Sequence, residues 1–91
     1  MKVNHPFKIG SNMLIRTVTM IFTGKLEAVY KKEIVISSAA WIPETERWAD
    51  SVAKGEFREI EPYPKDAKVI IGRGSIIDAV AVSWKLPLEQ K

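Results

Sequence analysis

The stretch "VIIGRGSIIDAV", residues 69–80, sets two short apolar runs on either side of Gly72-Arg73-Gly74-Ser75. Runs rich in valine and isoleucine around a glycine-containing turn predict two β-strands joined by a tight connection. Both runs place apolar side chains at successive positions, so neither has the alternation of a strand with one buried face. The second face of these strands therefore needs a cover, supplied by an inserted helix, by the N-terminal arm or by another subunit.

Three further strands are predicted upstream of this pair. "LIRTVTMIF", residues 14–22, is rich in β-branched residues and predicts one strand. Thr23-Gly24 is typical of a tight turn, and "KLEAVY", residues 25–30, then alternates as a hairpin partner would. After the polar loop Lys31-Lys32-Glu33, "IVIS", residues 34–37, predicts a third antiparallel strand.

The middle of the chain changes period and predicts a helix of about three turns within residues 41–55. Pro43 suits a first helical turn, and Gly55 suits a helix end. Trp41 and Trp48 fall at helical spacing, so we expect both to be buried under this helix, whereas Trp84 in the tail is expected to be exposed. Beyond the helix, "EFREIEPYP", residues 56–64, contains two prolines and predicts a short edge strand followed by a loop.

Length and composition predict one folded domain. The chain has 91 residues, of which 46% are hydrophobic and 27% charged. We expect an N-terminal arm at residues 1–13, a β-domain at 14–82 and a C-terminal tail at 83–91. The absence of cysteine and of a long apolar run predicts no disulfides and no membrane contact, with the cytoplasm as the default location.

The charge is unevenly distributed along the sequence. The net charge is +3, with cations abundant in the first third and carboxylates clustered between Glu44 and Glu61. A modest positive charge favours a polyanionic partner only slightly. The sequence therefore predicts one basic end and one acidic segment.

Catalytic groups are scarce. His5 is the only histidine, so neither a Ser-His-Asp nor a Cys-His arrangement can be built. Glu44 and Glu46 are interpreted as acidic residues at a helix start, and no spacing suggests a metal site. Gly72–Ser75 lacks the lysine and the following helix of a phosphate-binding loop. We therefore expect a protein that is not an enzyme and that uses no cofactor or metal.

The order of these elements resembles the Sm fold of Sm and LSm proteins and of the bacterial RNA chaperone Hfq, over about residues 14–82. The resemblance rests on "VTMIF", the glycine at 24, and two apolar strands around Arg73-Gly74. It implies a mainly β protein, a small, strongly bent, five-stranded SH3-like barrel, into which the helix predicted within residues 41–55 is inserted. It also implies a homo-oligomeric ring joined through the fourth and fifth strands, with RNA bound around its pore.

This resemblance assigns two groups of residues. The expected nucleic-acid-binding residues are Tyr30, Lys31, Lys32, Arg73, Gly74 and Ser75. The expected subunit-interface residues are Val69, Ile70, Ile71, Ile76, Ile77 and Val80. The first loop carries two lysines where the family has an aspartate and an asparagine, so we expect phosphate contacts by Lys31, Lys32 and Arg73 rather than uridine-specific recognition. For Arg73 the alternative is an exposed hairpin residue between two glycines of positive φ.

Two function classes follow from these observations. The first is a non-catalytic ring that binds RNA or single-stranded DNA and acts in nucleic-acid processing. The second is a structural or adaptor module that contacts a protein, such as a host protein, through the acidic helix or Trp84. The chain also resembles small proteins encoded by tailed phages in "IRTVTM", "SAAWI", "EPYP" and "RGSIIDA", which suggests a viral origin and implies no activity.

Overall fold

The computed structural model describes residues 5–91, and residues 1–4 of the predicted arm lie outside that range. The elements in chain order are β1 (Asn12–Thr17), β2 (Ile21–Val29), β3 (Glu33–Thr45), α1 (Trp48–Lys54), β4 (Phe57–Pro62), β5 (Val69–Gly72) and β6 (Ile76–Val82), with a 3-10 turn at Arg73–Ser75. The chain is mainly β with one helix in the described range, as the sequence predicts. No helix within residues 5–91 is long and apolar enough to cross a membrane.

The sheet has six antiparallel strands rather than the five that the Sm-like resemblance implies. Its order is β4-β3-β2-β1-β6, and β5 pairs with the first part of β3, at Glu33–Ile36. The later part of β3 pairs with β4 instead. The 3-10 turn sends β5 and β6 to different partners, β3 and β1, and no ladder joins these two strands in the described part of the chain. The sheet is therefore not closed into a barrel, which corrects that expectation.

The predicted strand at residues 14–22 is wrong, because a turn divides it into β1 and β2. The Thr17 hydroxyl donates a hydrogen bond to the Met20 carbonyl at 2.7 Å and accepts one from the Met20 N–H at 3.0 Å. A threonine hydroxyl that bonds to nearby backbone in this way stabilises a turn. Val18 and Thr19 form the tip of this turn although their β-branched side chains favour strands.

Gly24 lies inside β2 and not in the predicted turn. A Cβ atom at this position would come within 2.8 Å of the Ile36 Cδ1 atom on the neighbouring strand. Ile36 is fully buried and has little room to move. The glycine therefore permits a close approach between β2 and β3.

We expect Gly24→Ala to lower the free energy of unfolding by about 1–3 kcal/mol, the usual cost of overpacking a core. Gly72→Ala is the matched control, because its Cβ would meet nothing within 4 Å and its φ is −66°. Urea denaturation of both variants measures the difference. Equal stability of the two variants would show that β2 and β3 accommodate a methyl group at position 24 without loss of packing.

Two apolar clusters lie on the two faces of the sheet. The first contains the buried residues Met13, Ile15, Phe22, Leu26, Ile34, Ile36, Ala39 and Ile71. The second contains Leu14, Ala40, Ile42, Phe57 and Ile60, with Trp48, Val52 and Trp84 packed against it. On β6, Ala79 faces the first cluster, whereas Val80 and Val82 face the second. The chain itself thus packs against part of each face of this strand, while Ile77, Asp78 and Ala81 remain exposed.

The helix is shorter than predicted. It spans Trp48–Lys54 rather than 41–55, because β3 continues through Pro43 to Thr45. Gly55 ends the helix in the left-handed conformation (φ 69°), as expected of a C-terminal glycine. The buried Ser51 hydroxyl accepts a hydrogen bond from the Glu46 N–H and donates one to the Glu56 carbonyl, so it ties together the two ends of the insertion.

An exposed ion pair links β1 to β6. The Arg16 guanidinium bonds to both carboxylate oxygens of Asp78, and its Cζ atom lies 4.6 Å from the centre of the Trp48 ring. The hydrogen bond from Arg16 lowers the pKa of Asp78 below its ordinary value, and it raises the pKa of Arg16. Arg16 therefore joins the strand pair to the helix.

Candidate nucleic-acid interface

The two loops assigned from the sequence lie side by side. Glu33 at the start of β3 is in register with Gly72 at the end of β5, so the turn before β3 meets the turn after β5. The Arg73 N–H donates a hydrogen bond of 2.8 Å to the Lys32 carbonyl. We refer to Tyr30, Lys31, Lys32 and Arg73 as the basic end of the protein.

The Arg73 side chain is bound within this end. Its Nη1 donates to the Tyr30 carbonyl at 2.8 Å and lies 3.3 Å from the Lys31 carbonyl. Its Cζ atom lies 5.4 Å from the centre of the Phe7 ring, within the range of a cation–π contact. Arg73 thus fastens the β2–β3 turn to the β5–β6 turn, and the arm residue Phe7 packs against it.

Gly74 and Ser75 form part of the 3-10 turn between β5 and β6. The Ser75 hydroxyl donates to the Gly72 carbonyl at 2.7 Å, and the Ser75 carbonyl accepts the Val18 N–H at 2.9 Å. Neither glycine has a positive φ, which corrects the interpretation of a hairpin tip built on such residues. The Ser75 side chain is therefore engaged internally, whereas a side chain added at Gly74 would meet open space.

The other three members of the basic end face solvent. The Tyr30 side chain is 58% exposed, and Lys31 and Lys32 are exposed at the tip of the turn. Among residues 5–91, no carboxylate lies within ion-pair distance of Lys31, Lys32 or Arg73. An exposed aromatic ring beside unneutralised cations can stack on a base and contact phosphates at the same time.

The six expected interface residues divide into two groups. Ile71 is buried in the first cluster, Val69 and Ile76 pack against it, and Val80 packs against the second cluster. Ile70 and Ile77 are exposed, at 69% and 63%. Ile77 projects because β6 carries a bulge here: Thr17 is in register with Ile76, and Arg16 with Asp78. Only this pair of the six therefore lies open on the surface.

Trp41 and Trp84 have the opposite exposure to that expected from the sequence. Trp84 packs edge-on against Phe57 with ring centres 5.7 Å apart, and its Nε1 donates to the Val52 carbonyl at 2.8 Å. Trp41 lies on β3, 39% exposed, because the predicted helix does not begin until Trp48. The expected burial of Trp41 and exposure of Trp84 are both wrong. The continuous apolar run from Ala39 to Ile42 is the sequence signal that favours a strand at Trp41.

No cluster of three or more histidine, aspartate or glutamate residues with metal-binding geometry occurs among the described residues. No protein-family model matches this chain, and no curated protein or solved structure shows significant similarity to it.

Proposed function

We propose that this protein is a non-catalytic binder of single-stranded nucleic acid, RNA or single-stranded DNA, and that the basic end is its binding surface. The observation that carries the proposal is the pair of hydrogen bonds from Arg73 to the carbonyls of Tyr30 and Lys31. They join two basic segments that lie about forty residues apart in the sequence.

The chemistry of the basic end favours single strands. The ammonium groups of Lys31 and Lys32 neutralise phosphates and release counterions. The exposed Tyr30 ring offers a stacking surface, which an unpaired base can reach more readily than a base inside a duplex. Tight binding needs more contacts than one copy offers, because two or three cations bind weakly in physiological salt.

A homo-oligomer supplies these additional contacts. We propose a ring of the Sm-like kind, in which the sheet is completed between copies through β5 and β6. Each of these strands has one ladder partner in residues 5–91, and the exposed Ile70 and Ile77 lie on them. Such an assembly covers two strand edges and repeats the basic end around one axis, which raises avidity through effective concentration.

Binding is tested by fluorescence anisotropy with labelled oligo(U) and oligo(dT) of roughly 20 nucleotides, a length that spans the footprint of a small single-strand-binding domain. We expect wild-type protein to bind both at low salt, and Lys31→Ala/Lys32→Ala to bind at least about tenfold more weakly, because two phosphate contacts are lost. A mixed-sequence duplex should bind more weakly than either single strand.

The matched control is Lys54→Ala/Lys85→Ala, which removes the same charge at two exposed lysines outside the basic end. It should bind like wild type apart from a small effect of net charge. Equal losses of affinity in the two double variants would show that binding depends on the net charge of the protein and not on the basic end. Absence of oligonucleotide binding by the wild-type protein would refute the proposed function.

A further inference from the structure

A second surface lies around Trp41, at the other end of β3 from the basic end. Trp41 separates two shallow grooves, one lined by the β1–β2 turn with Val18 and Met20, the other by Pro62, Tyr63 and Pro64 of the β4–β5 connection. Val18 is 71% exposed. The adaptor alternative drawn from the sequence relied on Trp84 or on a longer helix, and Trp41 is the tryptophan that the structure leaves open.

Carboxylates border Trp41 on the same face of the sheet. Glu61 on β4 is in register with Trp41, and Glu59 is in register with Glu44. Residues in register on paired strands share one face, so these three glutamates form an acidic row beside the ring. Within residues 5–91 neither Glu59 nor Glu61 has a cationic partner, and Arg58 lies 3.7 Å from Glu44. We call Trp41, Glu44, Glu59 and Glu61 the acidic edge.

The outer side of β4 already pairs with one residue of the C-terminal tail. Ile60 N–H donates to the Lys91 carbonyl at 2.9 Å, and Lys91 N–H donates to the Ile60 carbonyl at 3.0 Å. The neighbouring Gln90 amide donates to the Glu61 carboxylate at 3.2 Å. The edge of β4 thus accepts a reciprocal pair of backbone hydrogen bonds, as an antiparallel strand makes them, with a donor side chain beside Glu61.

We propose that the acidic edge is a docking site for an extended, lysine- or arginine-bearing segment of a partner protein, which adds to β4 in place of the tail residue Lys91. Backbone hydrogen bonds to Ile60 supply the pairing, as in other cases of strand addition to a sheet edge. The partner's cations meet Glu59 and Glu61, and an apolar or aliphatic part of the segment covers Trp41. A cation satisfies these carboxylates more strongly than the neutral Gln90 amide does.

The test uses a tryptophan-free peptide of roughly ten residues, the length of a long strand, in which lysine alternates with threonine. Its matched control replaces every lysine with glutamate. With ¹⁵N-labelled full-length protein, we expect the lysine peptide to shift the amide signals of residues 57–61 and the indole N–H of Trp41, and the glutamate peptide to shift neither. Affinity should fall as salt is raised, because the contacts are ionic.

Three variants decide between this site and a general charge effect. Glu59→Lys/Glu61→Lys should abolish the shifts, whereas Glu33→Lys, at the opposite end of β3, should preserve them. Lys91→Pro removes the N–H that bonds to Ile60, so it should loosen the tail and tighten peptide binding several-fold. Absence of binding at about 1 mM peptide would overturn the proposal. So would binding that persists in Glu59→Lys/Glu61→Lys, or peptide binding that is weaker in Lys91→Pro than in wild type. None of these outcomes depends on nucleic-acid binding at the basic end.

Discussion

Gly55→Ala is expected to lower the free energy of unfolding by about 2–4 kcal/mol, the largest stability effect that we predict for a single methyl group. Gly55 has φ 69°, where an L-residue is disfavoured by about 1–2 kcal/mol. Its Cβ would also lie 2.5 Å from the Cδ2 atom of the Trp84 ring. Trp84 is fixed by Phe57 and by its bond to the Val52 carbonyl, so the ring cannot move aside without loss of these contacts.

Gly10→Ala separates the two causes. Gly10 also has a positive φ, 91°, but an added Cβ would meet nothing within 4 Å. Urea unfolding should therefore show a smaller loss for Gly10→Ala, about the backbone cost alone. If both variants lose the same free energy of unfolding, the Trp84 ring moves aside at little cost, and its packing against Gly55 contributes little to stability.

Arg73→Ala is expected to weaken oligonucleotide binding about tenfold or more, although the side chain need not touch the nucleic acid. The guanidinium holds the Tyr30 and Lys31 carbonyls, and hydrogen bonds to charged groups typically contribute about 1.5–3 kcal/mol. Without these hydrogen bonds the β2–β3 turn samples more conformations, and ordering it on binding costs conformational entropy. We therefore expect Arg73 to act by positioning Lys31 and Lys32.

Arg73→Lys is the control for this role. Both hydrogen bonds come from Nη1 at the far end of the guanidinium, so the shorter lysine side chain keeps the positive charge but does not reach this position, and it lacks the planar group that lies over Phe7. If Arg73 positions the turn, Arg73→Lys should bind almost as weakly as Arg73→Ala, and hydrogen exchange at Tyr30–Glu33 should accelerate in both variants without any nucleic acid. Wild-type affinity in Arg73→Lys would instead mean that its charge contacts the ligand.

The sequence predicts the strands well where a pattern has one physical cause. Alternation over residues 25–30 marks the later part of β2, β-branched residues mark β5, and the polar tip between Tyr30 and Glu33 marks a hairpin. It does not reveal the turn after Thr17, because a hydroxyl bonded to backbone replaces the usual glycine or proline. It places Gly24 in a turn because a glycine gives the same signal whether it bends the chain or permits a close approach.

The candidate site was only partly predictable. The sequence predicts Lys31, Lys32 and Arg73 as site residues, but the engagement of Arg73 with main-chain carbonyls depends on a strand pairing distant in sequence. Trp41 and Trp84 exchanged places for a similar reason. Helical spacing related Trp41 to Trp48, whereas the pairing of β3 with β4 carries Trp41 outward. At Trp41, strand pairing overrides the local helical spacing, and at Trp84 the tail packs against Phe57, a contact that no local pattern reveals.

The two proposed surfaces have opposite charge and lie at opposite ends of β3. The first part of β3 pairs with β5 beside the basic end, and the later part pairs with β4 along the acidic edge. This separation allows a polyanion and a cationic protein segment to bind without competing for the same residues. Variants at one surface should therefore leave binding at the other unchanged.

The salt dependence of oligo(U) affinity tests the nucleic-acid function most directly. For single strands the slope of log K against log salt is about −0.7 per phosphate neutralised. Between about 50 and 200 mM NaCl, Lys31→Ala/Lys32→Ala should reduce the steepness of that slope by about 1.4 for each copy whose two lysines contact the strand, whereas Lys54→Ala/Lys85→Ala should leave it unchanged. Identical slopes in all three proteins would contradict phosphate binding at the basic end.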